Sequence, residues 1–244
     1  MERRSRSIIL RVINYGEADR LVTFFTEDFG KLKGVAKNAK KSNRRFGGAL
    51  EPGTIGEMRF VEKPNQDLMR LEEIEVDKPA WKIASSLRRI MALEVSLELA
   101  DAMLPIANPS KEKFSLLERW ISFLSDSEPK ANLRHAFYFK WLDASGLKPV
   151  FDKCVSCNKT ENGTWHVVPS QGGTICQNCY EPHMSGISVS DGGVKYLRRF
   201  DEGKVGAKYF AEADEVFEYL INSAVGRELK SLKVVRDVAT SIKD

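Results

Sequence analysis

Alternation of apolar and polar positions, interrupted by turn-forming residues, predicts strands throughout the first eighty residues. Apolar side chains alternate along residues 8–13, ahead of a turn at residues 14–16. Four further runs, rich in β-branched and aromatic residues, lie at residues 20–26, 31–37, 56–62 and 67–76. Five short strands at roughly 8–12-residue spacing indicate a small sandwich or barrel. Five strands in about 70 residues suit a barrel of the OB type.

The hydrophobic period changes after Pro79. From residue 81 the apolar positions recur at steps of three and four, which predicts one long amphipathic helix that Pro105 and Pro109 end. The predicted buried face of this helix consists of Ile83, Leu87, Ile90, Leu93, Leu97, Ala100 and Leu104.

Helical spacing continues further along the chain, with one interruption. It predicts a second helix at residues 114–124 and a third at 133–144, which Gly146 and Pro149 end. Residues 150–186 have no period and are rich in Cys, Gly, Asn and Thr. Further helices are predicted at residues 194–200, 207–224 and 227–242.

The patterns together predict an α+β multidomain protein. An N-terminal OB-type β-barrel occupies residues 1–79 in this prediction. An all-α helical domain follows in two parts, 80–147 and 187–244. A small four-cysteine module, residues 148–186, is inserted between them.

Four cysteines form a C-x2-C-x18-C-x2-C pattern, namely Cys154, Cys157, Cys176 and Cys179. This spacing lies in the window of a four-thiolate zinc site, because two thiolates on a tight turn can hold one metal and a second pair completes a tetrahedron. Gly172 and Gly173 suit a turn between the two pairs. Four buried thiols or a redox pair is the alternative, but the βαβ pattern of a thioredoxin-like site is missing from the sequence.

A closed set of four sulfurs leaves no coordination position for water or substrate, so we expect one structural zinc per chain. The sequence has neither the zinc-deaminase signature nor H-E-x-x-H. His166 and His183 are then turn or surface residues, and His135 is structural. Without a recognisable catalytic set we expect no enzyme, although an unrecognised metalloenzyme remains an alternative.

Hydrophobic residues make up 42% and charged residues 30% of the 244 residues, which is ordinary for a globular protein. The net charge of +4 is unevenly distributed. Residues 1–50 hold 12 Lys/Arg against 5 Asp/Glu, a surplus of 7, and the remaining residues hold 26 against 29, a deficit of 3. This asymmetry indicates an anionic partner that binds the N-terminal part.

Apolar stretches stay far below the ~18–20 residues of a membrane helix. Arg11 interrupts the apolar run near the N-terminus, so a secretory leader does not fit. We therefore expect a cytoplasmic protein without membrane contact, in which the four cysteines do not form two structural disulfides.

Residues 31–45 contain seven basic residues and no acidic one. A solvated loop is the simplest interpretation, but the run accounts for the whole charge surplus and lies within the predicted barrel. Cations beside glycines and an aromatic residue are how OB domains hold single-stranded nucleic acid. The predicted DNA-binding residues are Lys31, Lys33, Lys37, Lys40, Lys41, Arg44, Arg45 and Phe46. Tyr15, Phe24, Phe25, Phe29 and Phe60 are assigned to the core, although adjacent Phe24 and Phe25 must face opposite sides of a strand.

The segment at residues 15–53 resembles the bacterial recombination-repair family RecO. Its pattern is Y-x-E-x-D-x-L-x-x-x-F-T, then a basic run, then R-F-[GA]-x-x-L-[EQ]-P. The residues that match are Tyr15, Glu17, Asp19, Leu21, Phe25, Thr26, Gly30, Ala36, Lys37, Lys40, Arg45, Phe46, Leu50 and Pro52. Asn38 stands where the family usually has Gly. Leu142, Gly146, Leu147 and Pro149 extend the likeness to the cysteines.

The resemblance implies an OB domain, a helical domain and a zinc module of the zinc-bearing type. It also implies a recombination mediator of the RecF-type pathway, in the cytoplasm at the nucleoid, that binds single- and double-stranded DNA and anneals complementary strands. The implied partners are RecR and the acidic C-terminal tail of the single-strand-binding protein, with RecA loading as the indirect result. A zinc-ribbon RNA-binding factor and a protein-interaction scaffold are the alternatives.

Overall fold

The computed structural model describes residues 1–62, 68–160, 163–200 and 207–241, and at 43, 44, 207 and 239–241 the backbone only. The chain divides into two compact units. The first comprises Met1–Glu128 with Val234–Asp244, and the second comprises Pro129–Lys233. The four-part domain division drawn from the sequence stays a prediction.

Five strands of the first unit close into a barrel. They are β1 (Glu2–Tyr15), β2 (Asp19–Thr26), β3 (Gly30–Ala36), β4 (Ile55–Val61) and β5 (Met69–Lys78). The order around the barrel is β1-β2-β3-β5-β4, and β4 pairs again with β1. Closure depends on a short parallel pairing of β3 with β5, over Gly34–Met69, Val35–Arg70 and Ala36–Leu71. The predicted OB-type architecture is confirmed.

The long strand β1 pairs with two neighbouring strands because it is bent. Its first half pairs with β4 and its second half with β2, and a bulge lies between Ile9 and Arg11. A bulge adds one residue to one strand and increases the local twist. The extra residue lets a single strand of 14 residues follow the curve of the small barrel.

The barrel interior is filled by alternate residues of each strand. Phe24 faces inward and packs against Phe60 in a T-shaped arrangement, with ring centroids 5.6 Å apart. Phe25 faces outward and packs against Phe114 at 5.4 Å. The two phenylalanines therefore face opposite sides, as predicted, and a helix covers the outer one.

Three α-helices and a 3₁₀ turn lie within the described part of residues 1–128 in the first unit. The short helix α1 (Asn43–Phe46) comes first. A 3₁₀ turn at Ala80–Ser85 then precedes α2 (Leu87–Met103), and α3 (Lys111–Asp126) follows. The helix predicted from residue 81 is thus two elements. The prediction that Leu87 is buried is wrong, because its side chain is 54% exposed. Counting at 3.6 residues per turn fails where a 3₁₀ turn ends before the α-helix begins.

The second unit combines helices with a small sheet. Its helices are α4 (Ala131–Ala144), α5 (Asp191–Leu197) and α6 (Phe210–Val225), and α7 (Lys230–Ser241) begins in the second unit and continues into the residues assigned to the first. Three strands, β6 (Trp165–Val168), β7 (Gly173–Cys176) and β8 (Ile187–Val189), form a sheet in the order β7-β6-β8. Among the described residues, no helix is long and apolar enough to cross a membrane.

A polar chain, buried at His135 and Tyr196 and partly exposed at Asp214, joins three helices of the second unit. His135 is fully buried; its Nδ1 lies 2.7 Å from the Tyr196 hydroxyl and its Nε2 lies 2.9 Å from Asp214 Oδ1. Arg134 donates two hydrogen bonds to the same carboxylate at 3.0 and 3.2 Å. Because a carboxylate only accepts hydrogen bonds, Nε2 of His135 donates to Asp214. His135 is structural, as predicted.

Candidate metal centre and nucleic-acid interface

Four cysteine side chains of the second unit converge on one point. The Sγ atoms of Cys154, Cys157, Cys176 and Cys179 all lie within 4.8 Å of one another. Those of Cys157 and Cys176 are 3.7 Å apart. A tetrahedral ion with metal–sulfur bonds of about 2.3 Å places its sulfurs about 3.8 Å apart. The four thiols therefore lie close enough together to hold one metal ion, and the Cys157–Cys176 pair has the tetrahedral spacing.

Each pair of cysteines lies on a tight turn. In the first, Cys154 N–H donates to the Lys159 carbonyl at 2.8 Å and Asn158 N–H donates to the Cys154 carbonyl at 2.9 Å. In the second, Cys179 and Tyr180 N–H groups donate to the Cys176 carbonyl at 3.0 and 3.1 Å. Similar backbone turns thus present both C-x2-C pairs to the same point.

Backbone amides favour the thiolate at Cys154. Burial of its side chain acts to raise the pKa, but N–H groups of Cys176, Cys157 and Ser156 outweigh this and lower the pKa to about 6. The Cys176 N–H group lies 3.4 Å from Cys154 Sγ. The thiolate is the form that binds metals, so the local hydrogen bonding is suited to a ligand role.

Neither neighbouring histidine belongs to the cysteine cluster. His166 stacks on Tyr180 with ring centroids 3.7 Å apart, and its Nε2 is 2.9 Å from Gln177 Oε1. His183 is exposed and pairs with Glu181 at 3.2 Å. Within the described part of the chain, the metal-ligating group around this point consists of the four cysteines.

Gly172 and Gly173, which are predicted to form a turn between the two cysteine pairs, have different structural roles. Gly172 has a φ of 79°, in the left-handed region that favours glycine. Gly173 lies against another strand-like segment, where an added Cβ would be 2.2 Å from the Val150 carbonyl oxygen. The first therefore permits the turn, and the second permits the close approach of two backbones.

In the first unit, the connection from β3 to α1 is a loop at residues 37–42, here called the basic loop. Asn38 N–H donates to the Asp19 carboxylate at 2.8 Å, and Lys40 N–H donates to the Ala18 carbonyl at 3.1 Å. Asn38 has a φ of 56°, a left-handed conformation that Asn tolerates better than most residues. Asn at the usual Gly position therefore keeps the turn, and the loop is attached to the β1–β2 turn.

Three lysines of the basic loop, Lys37, Lys40 and Lys41, are exposed. Lys33 is half-buried on β3. No carboxylate of the described residues forms an ion pair with any of these four ammonium groups. The loop therefore concentrates uncompensated positive charge on one side of the barrel, where phosphate groups are the matching ligand.

Two predicted DNA-binding residues are buried instead. Lys31 is 7% exposed, and its ammonium group donates to the carbonyl and carboxylate of Asp101 on α2. Phe46 is part of the barrel core. Since a buried ammonium or ring is inaccessible to a nucleic acid, we remove both residues from the predicted DNA-binding set.

Of the two arginines at the end of the basic run, the structure describes the side chain of Arg45 but not that of Arg44. Arg45 is half-buried and braces the loop: its guanidinium donates to the Lys37 carbonyl at 2.9 Å and to Ser42 Oγ at 3.2 Å. It also lies 5.2 Å from the centre of the Phe46 ring. The side chain of Arg44 lies outside the described residues, so its predicted DNA contact stays a prediction.

Asp19 positions the basic loop, and the motif at residues 15–53 assigns it no role. Its carboxylate accepts the hydrogen bond that holds Asn38. An aspartate next to a Gly-containing turn indicates such backbone capping. The signal was present, but the partner lies 19 residues further along the chain.

Comparison with family models identifies the chain. The model described as Recombination protein O N terminal matches residues 1–80, and the one described as Recombination protein O C terminal matches residues 84–233. The chain belongs to the recombination protein O family. The resemblance predicted from the motif at residues 15–53 is therefore confirmed, and the four-cysteine cluster fits the metal-bearing type of this family.

Curated relatives agree over nearly the full length. A protein named DNA repair protein RecO from Geobacter metallireducens is 33% identical, over 96% of this chain and 97% of its own. Its namesake from Anaeromyxobacter sp. strain Fw109-5 is 31% identical, over 97% and 96%. The one from Syntrophus aciditrophicus is 29% identical, over 96% and 95%. The family is thus one of DNA repair and recombination proteins.

Proposed function

We propose that this RecO-family protein is a recombination mediator of the RecF-type pathway that binds DNA without catalysing a reaction. It would bind single and double strands, anneal complementary strands, and act in the cytoplasm at the nucleoid. The observation that carries the proposal is the basic loop, where three exposed lysines are held on a backbone that hydrogen bonds attach to the barrel.

Lysines bind phosphates as point charges and read no base sequence, so the expected binding is salt-dependent and tolerant of sequence. Fluorescence anisotropy with labelled single-stranded and duplex DNA tests this, and an unlabelled RNA competitor distinguishes an RNA-binding factor. A strand-annealing assay with two complementary oligonucleotides tests the mediator role. Absence of DNA binding, or annealing no faster than without protein, would overturn the corresponding part of the proposal.

We further propose that the four cysteines hold one structural zinc ion. When bound, zinc would supply four metal–thiolate bonds that join the two cysteine turns and so stabilise residues with little hydrophobic core of their own. Elemental analysis of native protein should give about one equivalent per chain. Cobalt substitution should give the absorption bands of a tetrahedral four-sulfur site, and a five- or six-coordinate spectrum would contradict the structural role.

For partners, RecR and the single-strand-binding protein are proposed on family membership, and RecA loading as their joint result. The seat we propose for the acidic tail of the single-strand-binding protein is a groove of about 410 Å³ in the second unit. Lys148 lines the groove together with apolar side chains, and its ammonium group pairs with Asp143 at 2.9 Å, so an acidic tail would have to share this cation or displace Asp143. The apolar lining is Leu142, Leu147, Pro149, Pro169, Leu220 and Ala224.

Substitution of an exposed leucine tests the groove. Leu147→Asp should abolish co-purification with the single-strand-binding protein, because an added carboxylate repels an acidic tail. Leu133→Asp, at an exposed leucine that does not line the groove, is the matched control. Equal retention of the tail-bearing protein by wild type and by Leu147→Asp would contradict this seat.

A further inference from the structure

Two apolar side chains of β1 are exposed on the outer face of the barrel. After the bulge, Val12 packs against the barrel core, so Ile13 and Tyr15 face outward. Ile13 is 47% and Tyr15 is 51% exposed. The assignment of Tyr15 to the core is therefore wrong, because the bulge and the strand end decide its direction.

These two residues lie on a strip bounded by cations. The strand register places Ile13 beside Leu21, and Leu21 beside Val35, both half-buried. One step along the same face, Thr23 lies beside Lys33. The strip is thus apolar across three strands and has an ammonium group on one side.

The basic loop bounds the strip on its other side. The ammonium group of Lys40 donates to the Gly16 carbonyl at 3.4 Å, directly after Tyr15 in the chain. Two acidic residues lie nearby: Asp19, which is opposite Tyr15 in the strand register and accepts the hydrogen bond from Asn38, and Glu17, which is exposed. The exposed Tyr15 ring therefore lies next in the chain to Gly16, whose carbonyl contacts the ammonium group of Lys40. Lys40 is itself proposed to bind phosphate.

We propose that Tyr15 is a stacking platform for a base of single-stranded DNA, with Ile13 as the apolar surface beside it and the lysines on the phosphates of the same strand. The inference deepens the proposed function and rests on it. Single-stranded DNA is the occupant that fits both features, because it offers unstacked base faces and regular negative charge. In a duplex the bases are already stacked, so Tyr15 contributes to single-strand binding alone.

The test compares affinities of the full-length protein for a single-stranded thymidine oligomer and a blunt duplex of equal length. Tyr15→Ala should weaken single-strand binding about 5- to 150-fold, the range expected for loss of one stacked base. Duplex affinity should change less than about twofold, and Tyr15→Phe should retain single-strand affinity to within about twofold. Trp81→Ala, at an exposed aromatic residue outside the strip, is the matched control and should change neither affinity.

Other outcomes separate the two levels of inference. If wild type binds neither DNA, the proposed function fails. If wild type binds both but Tyr15→Ala lowers both affinities equally or neither, the stacking platform alone fails. Photo-crosslinking with an oligomer that contains 5-iodouracil gives a second readout: a crosslink at Tyr15 is expected, and crosslinks confined to other residues would overturn the assignment.

Discussion

Replacement of the three exposed lysines of the basic loop by alanine tests the proposed interface most directly. Lys37, Lys40 and Lys41 stand on a loop whose backbone is fixed by hydrogen bonds to Asp19 and Ala18, so truncation removes charge and leaves the loop in place. Each phosphate contact contributes about 0.7 to the log–log salt slope for single strands and about 0.9 for duplex DNA. Loss of three contacts should reduce the slope by about 2.1 and about 2.7, respectively.

These slopes predict how the effect of the substitution depends on salt. Between 50 and 200 mM salt, the ratio of wild-type to variant affinity should fall about 20-fold for single strands and about 40-fold for duplexes. Anisotropy titrations at four salt concentrations measure both slopes. Circular dichroism and thermal melting check that the variant is folded.

A matched variant separates local contact from global charge. Lys130, Lys140 and Lys153 are exposed lysines of the second unit, and their replacement by alanine lowers the net charge by the same amount. The salt slope of this control should stay at the wild-type value. The reasoning is refuted if the loop variant keeps the wild-type slope, or if the control loses as much slope as the loop variant.

Three further predictions concern the metal centre, the loop attachment and the polar chain of the second unit. Cys154→Ser should reduce bound metal from about one equivalent to near zero and lower the melting temperature, whereas an exposed Ser156→Ala, at a residue between the ligands, should change neither. Asp19→Ala should weaken DNA binding about 2- to 10-fold, because the hydrogen bond to Asn38 is lost, even though a negative charge is also removed. Asp19→Asn should retain binding. Tighter binding by Asp19→Ala would contradict a positioning role for Asp19. The pKa of Asp214 is lowered because hydrogen bonds from His135 and Arg134 outweigh its burial, so its contribution to stability is present above a pH of about 4 and is lost as pH falls through the lower folded-state pKa. Denaturant titrations between pH 6 and pH 3 should show a smaller loss of stability for Asp214→Asn than for wild type, and equal losses would exclude this contribution.

The barrel could be predicted from the sequence where a strand has one buried face. β4 follows the alternation closely because its inward residues Met58 and Phe60 fill the core. The first residues of β1 could not be predicted this way, since residues 2–6 are almost entirely charged and their strand conformation comes from pairing with β4. Ser5 is nevertheless buried, where its hydroxyl donates to Asp28 at 2.7 Å.

The convergence of the four cysteines could be predicted almost completely, and the exposure of the basic residues only in part. Cysteine spacing is a local property, so the distance along the chain already indicates a shared ligand point. Whether a lysine is available to DNA depends on residues far away in the chain. Lys31 is inaccessible because its ammonium group binds Asp101, 70 residues further along the chain. Tyr15 is exposed because a bulge five positions earlier changes the direction of its side chain. Neither effect leaves a periodic signal.

The attachment of the basic loop also bears on annealing, the finer part of the proposed function. Two strands must come together against their mutual repulsion, and their base edges must stay free to pair. Lysines on a fixed loop can screen phosphates within a Debye length of about 8 Å at physiological salt without contacting base edges. Because the loop is already ordered by Asp19 and Arg45, little conformational entropy is lost on binding. A single stacked base at Tyr15 would hold one strand in register. It would add too little affinity to prevent release of that strand into the duplex. Annealing should therefore slow when stacking at Tyr15 is either removed or strengthened.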